Sequence, residues 1–368
     1  MMPYTFWILL VFAATTAVAA AVVPASCRLA AWVGAVDHPG QRKIHSAPMP
    51  RMGGVAVYVA FVSVVLFGYY FVPTLREMKG IPFASALEPL SQAHRVEGKL
   101  LALVAGATAV FIVGFLDDVL GTRFPVSVKA GGQILASLFL VFGDVRTSFL
   151  PFDWMNGVVT VLWVVGISNA FNLLDNIDGL SSGVAFVASA VLLVNAVLLG
   201  EVFIAFILAA FMGSLLGFLL FNYHPAKLFL GDCGSLFIGY VMAALTLLER
   251  YVSHASSTLF PVLMPVLVLA VPIIDTATVV FIRIRERRPI YVGDSRHLSH
   301  RLVSLGFSHR AAVLFIYLAT LCFGLGAVGL SHATATQSWL IMLQSLGFVS
   351  LILTLMFFER RRQPRENG

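Results

Sequence analysis

Apolar runs of about 20 residues recur along this chain, and that one property narrows its possible folds sharply. Coiled as a helix, a run of that length matches the ~30 Å hydrocarbon core of a bilayer. Inside lipid no water pairs with backbone N–H and C=O groups, so each run must satisfy its own, as a helix does. The runs fall at 5–30, 54–74, 99–116, 127–143, 156–172, 181–199, 202–222, 235–248, 259–282, 311–331 and 337–358. They predict an all-α polytopic membrane protein of about eleven transmembrane helices. A single integral membrane domain occupies residues 1–358, and a basic tail occupies 359–368. With 59% apolar and 11% charged residues, the composition excludes an ordinary soluble domain. The first run lacks a basic leader and exceeds a usual signal-peptide core, so it is read as a retained span. Cys27, Cys233 and Cys322 show neither paired nor metal-ligand spacing.

An odd number of spans puts the termini on opposite sides. With the tail in the cytoplasm, the cytoplasmic segments are 31–53, 117–126, 173–180, 223–234 and 283–310. Those segments, the tail and the adjoining Arg28 and Lys129 carry 18 of the 24 Lys and Arg residues. Basic residues accumulate on the cytoplasmic side of membrane proteins, so the N-terminus is expected outside. The net charge of +6 then belongs to membrane topology and not to nucleic-acid binding.

The same orientation gathers five chemically unusual stretches on one face. DHPGQRKIHSAPMPRMGG (37–54) offers Lys43, His45 and Arg51 to an anionic group. GFLDDVLG (114–121) sets Asp117 beside Asp118 at the end of a span, which is costly without a cation, a base or water. This pair reads as a solvated helix end, a Mg²⁺ site or a general base. NAFNLLDNIDGLSSG (169–183) spaces Asn172, Asp175 and Asp178 by three residues, oxygen donors of the kind that suit a hard cation. A helix cap accounts for one such group but not for three. FLGDCGS (229–235) flanks Asp232 with Gly231 and Gly234, which favour a turn and close approach of a ligand. The segment 283–310 holds seven Arg. Arg283, Arg285, Arg287 and Arg288 read as a membrane anchor, whereas Arg296, His297, His300 and Arg301 suit phosphate recognition. Lys129, at the start of a span, is either a further phosphate contact or a snorkelling lysine. Acids for a metal, bases for phosphate and a lipid-facing scaffold fit a phosphoryl transfer between a nucleotide-linked substrate and a lipid phosphate.

Those five stretches, in that order over residues 37–302, resemble the polyprenyl-phosphate N-acetylhexosamine-1-phosphate transferases, a family that includes WecA and the MraY translocase. The resemblance implies that undecaprenyl phosphate attacks the β-phosphate of a UDP-sugar. UMP leaves, and the lipid-diphospho-sugar stays in the inner leaflet of a bacterial cytoplasmic membrane, with the active site on the cytoplasmic face. It implies Mg²⁺, with Mn²⁺ as an alternative, held by Asp232 and Asn172. Asp117, beside Asp118, corresponds to the base or lipid-phosphate partner, and whether it acts instead as a nucleophile stays open. Lys129 corresponds to the pyrophosphate-binding lysine, Asp175 and Asp178 to the nucleotide side, and His297, His300 and Arg301 to the last-loop sugar-phosphate contacts. The last loop, RHLSHR, is closer to the HLHHR of the WecA-like branch than to the consecutive histidines of MraY. Ser299 stands where that pattern has its middle histidine, so a titrating role there is lost. The expected partners are a UDP-N-acetylhexosamine, with GlcNAc favoured, undecaprenyl phosphate, membrane lipid and, as an open option, a second copy of the chain.

Two other functions compete. A UbiA-type prenyltransferase also uses Asp-rich membrane-edge motifs, but its NDxxDxxxD pattern fails at NLLDNID. A transporter would place charge inside a span, and Asp275 in AVPIIDTATVV is the residue that supports that reading.

Overall fold

A computed structural model describes residues 4–37, 48–77, 97–251, 259–289 and 296–358. Lys43, His45 and the basic tail lie outside them. The chain folds as a bundle of helices: α1 (Thr5–Val33), α2 (Gly53–Glu77), α3 (Glu97–Leu120), α4 (Val126–Phe142), α5 (Asp153–Leu174), α6 (Leu180–Leu198) and α7 (Val202–Asn222). They are followed by α8 (Asp232–Leu248), α9 (Met264–Val268), α10 (Ala270–Arg285), α11 (Leu298–Ser304), α12 (His309–Leu330) and α13 (Ala335–Phe358). Among the described residues, eight helices are long and apolar enough to cross a membrane. The chain is an integral membrane protein.

Every apolar run of the sequence lies on helix, with two departures from a plain set of spans. First, α4 and α8 have 17 residues each, about 26 Å at the helical rise and shorter than a full hydrocarbon core. Second, the run 259–282 is not one straight span. A short 3₁₀ turn and α9 lead into α10 across a 69° bend. Pro261, Pro265 and Pro272 lack the N–H that an unbroken helix would need at those positions. The first loop adds one short non-helical pairing to this all-α bundle. Val36–Asp37 (β1) pairs antiparallel with Met49–Pro50 (β2), and Arg51 forms a parallel bridge with Phe229.

Burial follows from a solvent that is itself apolar. Helix α8 is apolar all round and is buried from Cys233 to Thr246, so it forms the axis of the bundle. Helices α2, α3, α5 and α6 surround it. At the periphery α13 exposes Leu340, Leu343 and Leu346, the side expected to meet lipid tails. Glycine permits a close backbone contact at the centre. A Cβ on Gly54 would lie 2.2 Å from the Gly234 backbone nitrogen, so the start of α2 can rest on the start of α8 only without side chains there.

Candidate active site

The first turn of α8 organises the site. Gly231 takes φ +76°, a conformation that costs glycine little, and a Cβ there would lie 2.6 Å from the Asp118 Oδ2. Asp118, at the end of α3, reaches under that turn. Its Oδ1 accepts the Asp232 N–H at 2.9 Å and its Oδ2 the Cys233 N–H at 2.9 Å. These are two of the N–H groups that a helix start leaves without intrahelical partners. The Asp118 side chain is 0% exposed. Its neighbour Asp117 points elsewhere, so the adjacent pair divides into a buried helix cap and a site carboxylate.

Asp117, Asn172 and Asp232 come together from α3, α5 and α8 around one cation, the Lys129 ammonium of α4. Lys129 Nζ lies 2.7 Å from Asp117 Oδ2, 3.5 Å from Asn172 Oδ1 and in direct contact with Asp232 Oδ2. Asn172 is oriented by its amide, which donates to Asp232 Oδ1 at 3.2 Å and to the Ser235 hydroxyl at 2.8 Å. That leaves its carbonyl oxygen to face the cation. Arg51 completes the group, 3.7 Å from both Asp118 Oδ1 and Asp232 Oδ1. The bridge to Phe229, with N–H bonds from Gly53 and Gly54 to the Phe229 and Leu230 carbonyls, holds Arg51 there. Burial acts to lower the Arg51 pKa, but the charges of Asp118 and Asp232 outweigh it and hold the guanidinium above its ordinary value.

Asp175 follows α5 and makes no hydrogen bond or ion pair among the described residues. Burial, reinforced by the charge of Asp232 and opposed by Arg51, pushes its carboxyl up to about 8. Asp178 belongs to a different contact set. Its Oδ2 is bonded to His224 Nδ1 at 2.8 Å and accepts the Ala226 N–H at 3.1 Å, which ties the α5–α6 turn to the loop before α8.

The last loop reaches the same end of the bundle by another route. His297, at the N-cap of α11, is bonded through Nδ1 to Asp275 of α10 at 2.7 Å. The Ser299 hydroxyl donates to Asn176 Oδ1 at 2.5 Å, stitching α11 to the residue after Asp175. Arg296 pairs with Glu286 at 2.5 Å, and Arg301 Nε donates to the Arg296 carbonyl at 2.8 Å. These contacts link Arg296 and Arg301 to each other and to the end of α10. His300 lies half-buried on α11. Arg283, expected as a surface anchor, is 1% exposed, so that reading is corrected. It shares the buried face of α10 with Asp275, Val279 and Ile282, a spacing that helical periodicity could have disclosed.

The donor chemistry fits a hard divalent cation. Two carboxylates and an amide oxygen already converge on one positive centre, and oxygen ligands of this kind suit Mg²⁺. Among the described residues, no cluster of three or more His, Cys, Asp or Glu side chains has metal-holding geometry. The set therefore depends on Asn172, and on Lys129 yielding its central position.

The glycosyl transferase family 4 model matches residues 100–249, the stretch carrying Asp117, Lys129, Asn172 and Asp232. A Bacillus subtilis (strain 168) protein described as "Probable undecaprenyl-phosphate N-acetylglucosaminyl 1-phosphate transferase" is 36% identical, over 90% of this chain and 87% of its own. A decaprenyl-phosphate N-acetylglucosaminephosphotransferase of Mycolicibacterium smegmatis is 32% identical, over 90% and 84%. The undecaprenyl-phosphate alpha-N-acetylglucosaminyl 1-phosphate transferase of Escherichia coli (strain K12) is 27% identical, over 86% and 82%. With its ordered motifs and these relatives along nearly its whole length, the chain belongs to glycosyl transferase family 4, the polyprenyl-phosphate N-acetylhexosamine-1-phosphate transferases.

Proposed function

We propose that this protein transfers N-acetylglucosamine 1-phosphate from UDP-N-acetylglucosamine to a polyprenyl phosphate, undecaprenyl phosphate in the first instance, and releases UMP. The observation that carries the proposal is the convergence of Asp117, Asn172 and Asp232 on one cationic position, with Arg51 alongside. The names of the relatives supply the sugar and the lipid class.

In the reaction an oxygen of the lipid phosphate bonds to the β-phosphorus as the bond from that phosphorus to the bridging oxygen breaks, so UMP carries away the electron pair. Such transfers depend on positioning and charge neutralisation more than on covalent help. Lys129 and Arg51 supply positive charge for the diphosphate. Asp117 faces the attacking lipid phosphate and takes its remaining proton, while Asp118 keeps Asp232 in place from beneath. Asp175 and the adjoining turn border the nucleotide, with Asp178 holding that turn, and His297, His300, Arg296 and Arg301 border the sugar phosphate. Lys43 and His45 contribute from the first loop. Asp232 and Asn172 would hold Mg²⁺, which when bound supplies charge neutralisation at the diphosphate.

The orientation with the site in the cytoplasm of a bacterial inner membrane makes the nucleotide sugar available. It is supported by the 18 of 24 basic residues assigned to that side. Eleven crossings result when α4, α8 and the bent α9–α10 pair are added to the eight long helices. Incubating purified protein with undecaprenyl phosphate, Mg²⁺ and a panel of UDP-sugars tests the proposal. UMP release with UDP-GlcNAc exceeding that with UDP-GalNAc and UDP-MurNAc-pentapeptide is expected. Release confined to another sugar, or from none of the panel, refutes it.

A further inference from the structure

Asp275 is an unusual residue for its surroundings. It sits in the apolar sequence AVPIIDTATVV near the start of α10 and is 1% exposed. A carboxylate sealed in such a place is expensive unless both oxygens are partnered. Both are, and both partners come from the start of α11. Oδ2 lies 2.7 Å from His297 Nδ1, and Oδ1 accepts the Leu298 N–H at 2.7 Å. An ionised carboxylate only accepts, so it requires the proton on Nδ1. The imidazole, itself 3% exposed, makes no second hydrogen bond among the described residues. Nε2 is therefore the ring atom left to meet a ligand.

Helix α11 cannot set this geometry alone. It has seven residues, too few to persist without tertiary contacts. Asp275 fixes its first turn from one side, and the Ser299–Asn176 hydrogen bond fixes it from the other. Asn176 adjoins Asp175, so the second tether runs to the turn that borders the Lys129 group. The position where the family pattern has a histidine is thus used as a tether, and Ser299 is 1% exposed. This arrangement leaves the orientation of His297 to Asp275.

We propose that Asp275 is a positioning residue of the transfer reaction, holding His297 with its Nδ1–H engaged so that Nε2 faces the phosphate of the bound nucleotide sugar. The inference rests on the function proposed above. A partner that binds one ring nitrogen sets the tautomer and direction of the other. Asp275 touches no substrate and acts only through His297.

The test separates this role from simple stability. In Asp275→Asn the side-chain oxygen still accepts from Leu298, but an amide NH₂ now faces Nδ1 and favours the opposite tautomer. We expect kcat/KM for UMP release to fall on the order of 10- to 100-fold, with the melting temperature close to that of the wild type. In a His297→Ala background the same change should alter kcat/KM by less than about twofold, because coupled residues lose their effects non-additively. Nitrogen NMR of ¹⁵N-histidine-labelled protein, with the signal assigned by His297→Gln, should show a protonated Nδ1 in the wild type and its loss in Asp275→Asn. Wild-type turnover in Asp275→Asn, a full additional loss in the His297→Ala background, or an unprotonated Nδ1 in the wild type would overturn the proposal. Absence of UMP release by the wild type would instead sink the parent reading. The ring measurement needs no substrate and still decides the role of Asp275.

Discussion

At the end of the bundle that carries α8's first turn, Asp117, Asp118, Asp175 and Asp232 are gathered around two cations, Arg51 and Lys129. At the opposite end one buried acid, Glu249, is handled differently. Asn195 of α6 donates to its Oε1 at 2.9 Å, the Ser331 hydroxyl donates to Asn195 Oδ1 at 3.1 Å, and no cation is in contact with it among the described residues. Burial pushes the Glu249 carboxyl up to about 8, so neutrality there comes from a proton. At the start of α5, Asn156 ties down the preceding loop by accepting the Leu150 N–H and donating to the Leu150 carbonyl. Glu249 Oε2 is buried with no partner among the described residues, which a neutral carboxyl tolerates better than a charged one. Even with a proton held on Asp175, whose carboxyl is pushed up to about 8, the first end sets three carboxylates, Asp117, Asp118 and Asp232, against two cations, a balance that costs stability and leaves the carboxylates ready for a further cation.

This contrast can be broken most severely at the centre of the first end. Asp232→Ala should abolish UMP release, a loss of at least ~10³-fold of the size expected when a principal electrostatic group is removed. The helix should survive, because Asp118 bonds the backbone N–H of residue 232, which alanine keeps. Circular dichroism and a melting curve matching the wild type would confirm that chemistry alone was lost. Lys129→Met leaves Asp117 and Asp232 facing each other without their shared ammonium. Activity should fall about 10²-fold, and the remainder should require less Mg²⁺, read as a lowered half-saturating concentration, because the competing ammonium is gone. Asp118→Ala sharpens the division of the Asp117–Asp118 pair. Loss of an N-cap costs about 1–2 kcal/mol, so this variant should melt earlier, whereas Asp117→Ala should lose activity without an equal fall in melting temperature.

The smallest effect is expected at the far end. Burial pushes the folded Glu249 carboxyl up to about 8 from an ordinary glutamate value of 4.5, so between those values the folded protein holds a proton that the unfolded chain releases. Stability contributed by this group therefore falls as pH rises through that window. Melting curves from pH 5 to pH 8.5 should decline, and Glu249→Gln should flatten the decline while leaving kcat near wild type.

Helices were legible because their signal is local. Eleven apolar runs are printed in the sequence, and lipid leaves them few other structures. The bend at 268–270 was less legible, since prolines mark a break without giving its angle. The site divides on the same line. Asp117, Asn172, Lys129 and Asp232 stand out as polar groups at the ends of apolar runs. The downward turn of Asp118, by contrast, depends on how α3 meets α8 across more than a hundred residues. Asp275 carried the signal of an isolated charge in a span, but its partner His297 lies 22 positions away, and only the bend and α11 bring them together. Ser299 looked like a lost histidine, and its hydroxyl gains meaning through Asn176, a contact that no periodicity encodes.

Anomalous scattering from a crystal of the protein with Mn²⁺ and UDP-N-acetylglucosamine addresses the central claim most directly, because it locates the cation independently of turnover. The account predicts a single peak within bonding distance of Asp232 and Asn172, with Lys129 displaced toward the diphosphate. A peak at Asp178 and His224, or at Asp275 and His297, with Asp232 left unligated, would contradict it.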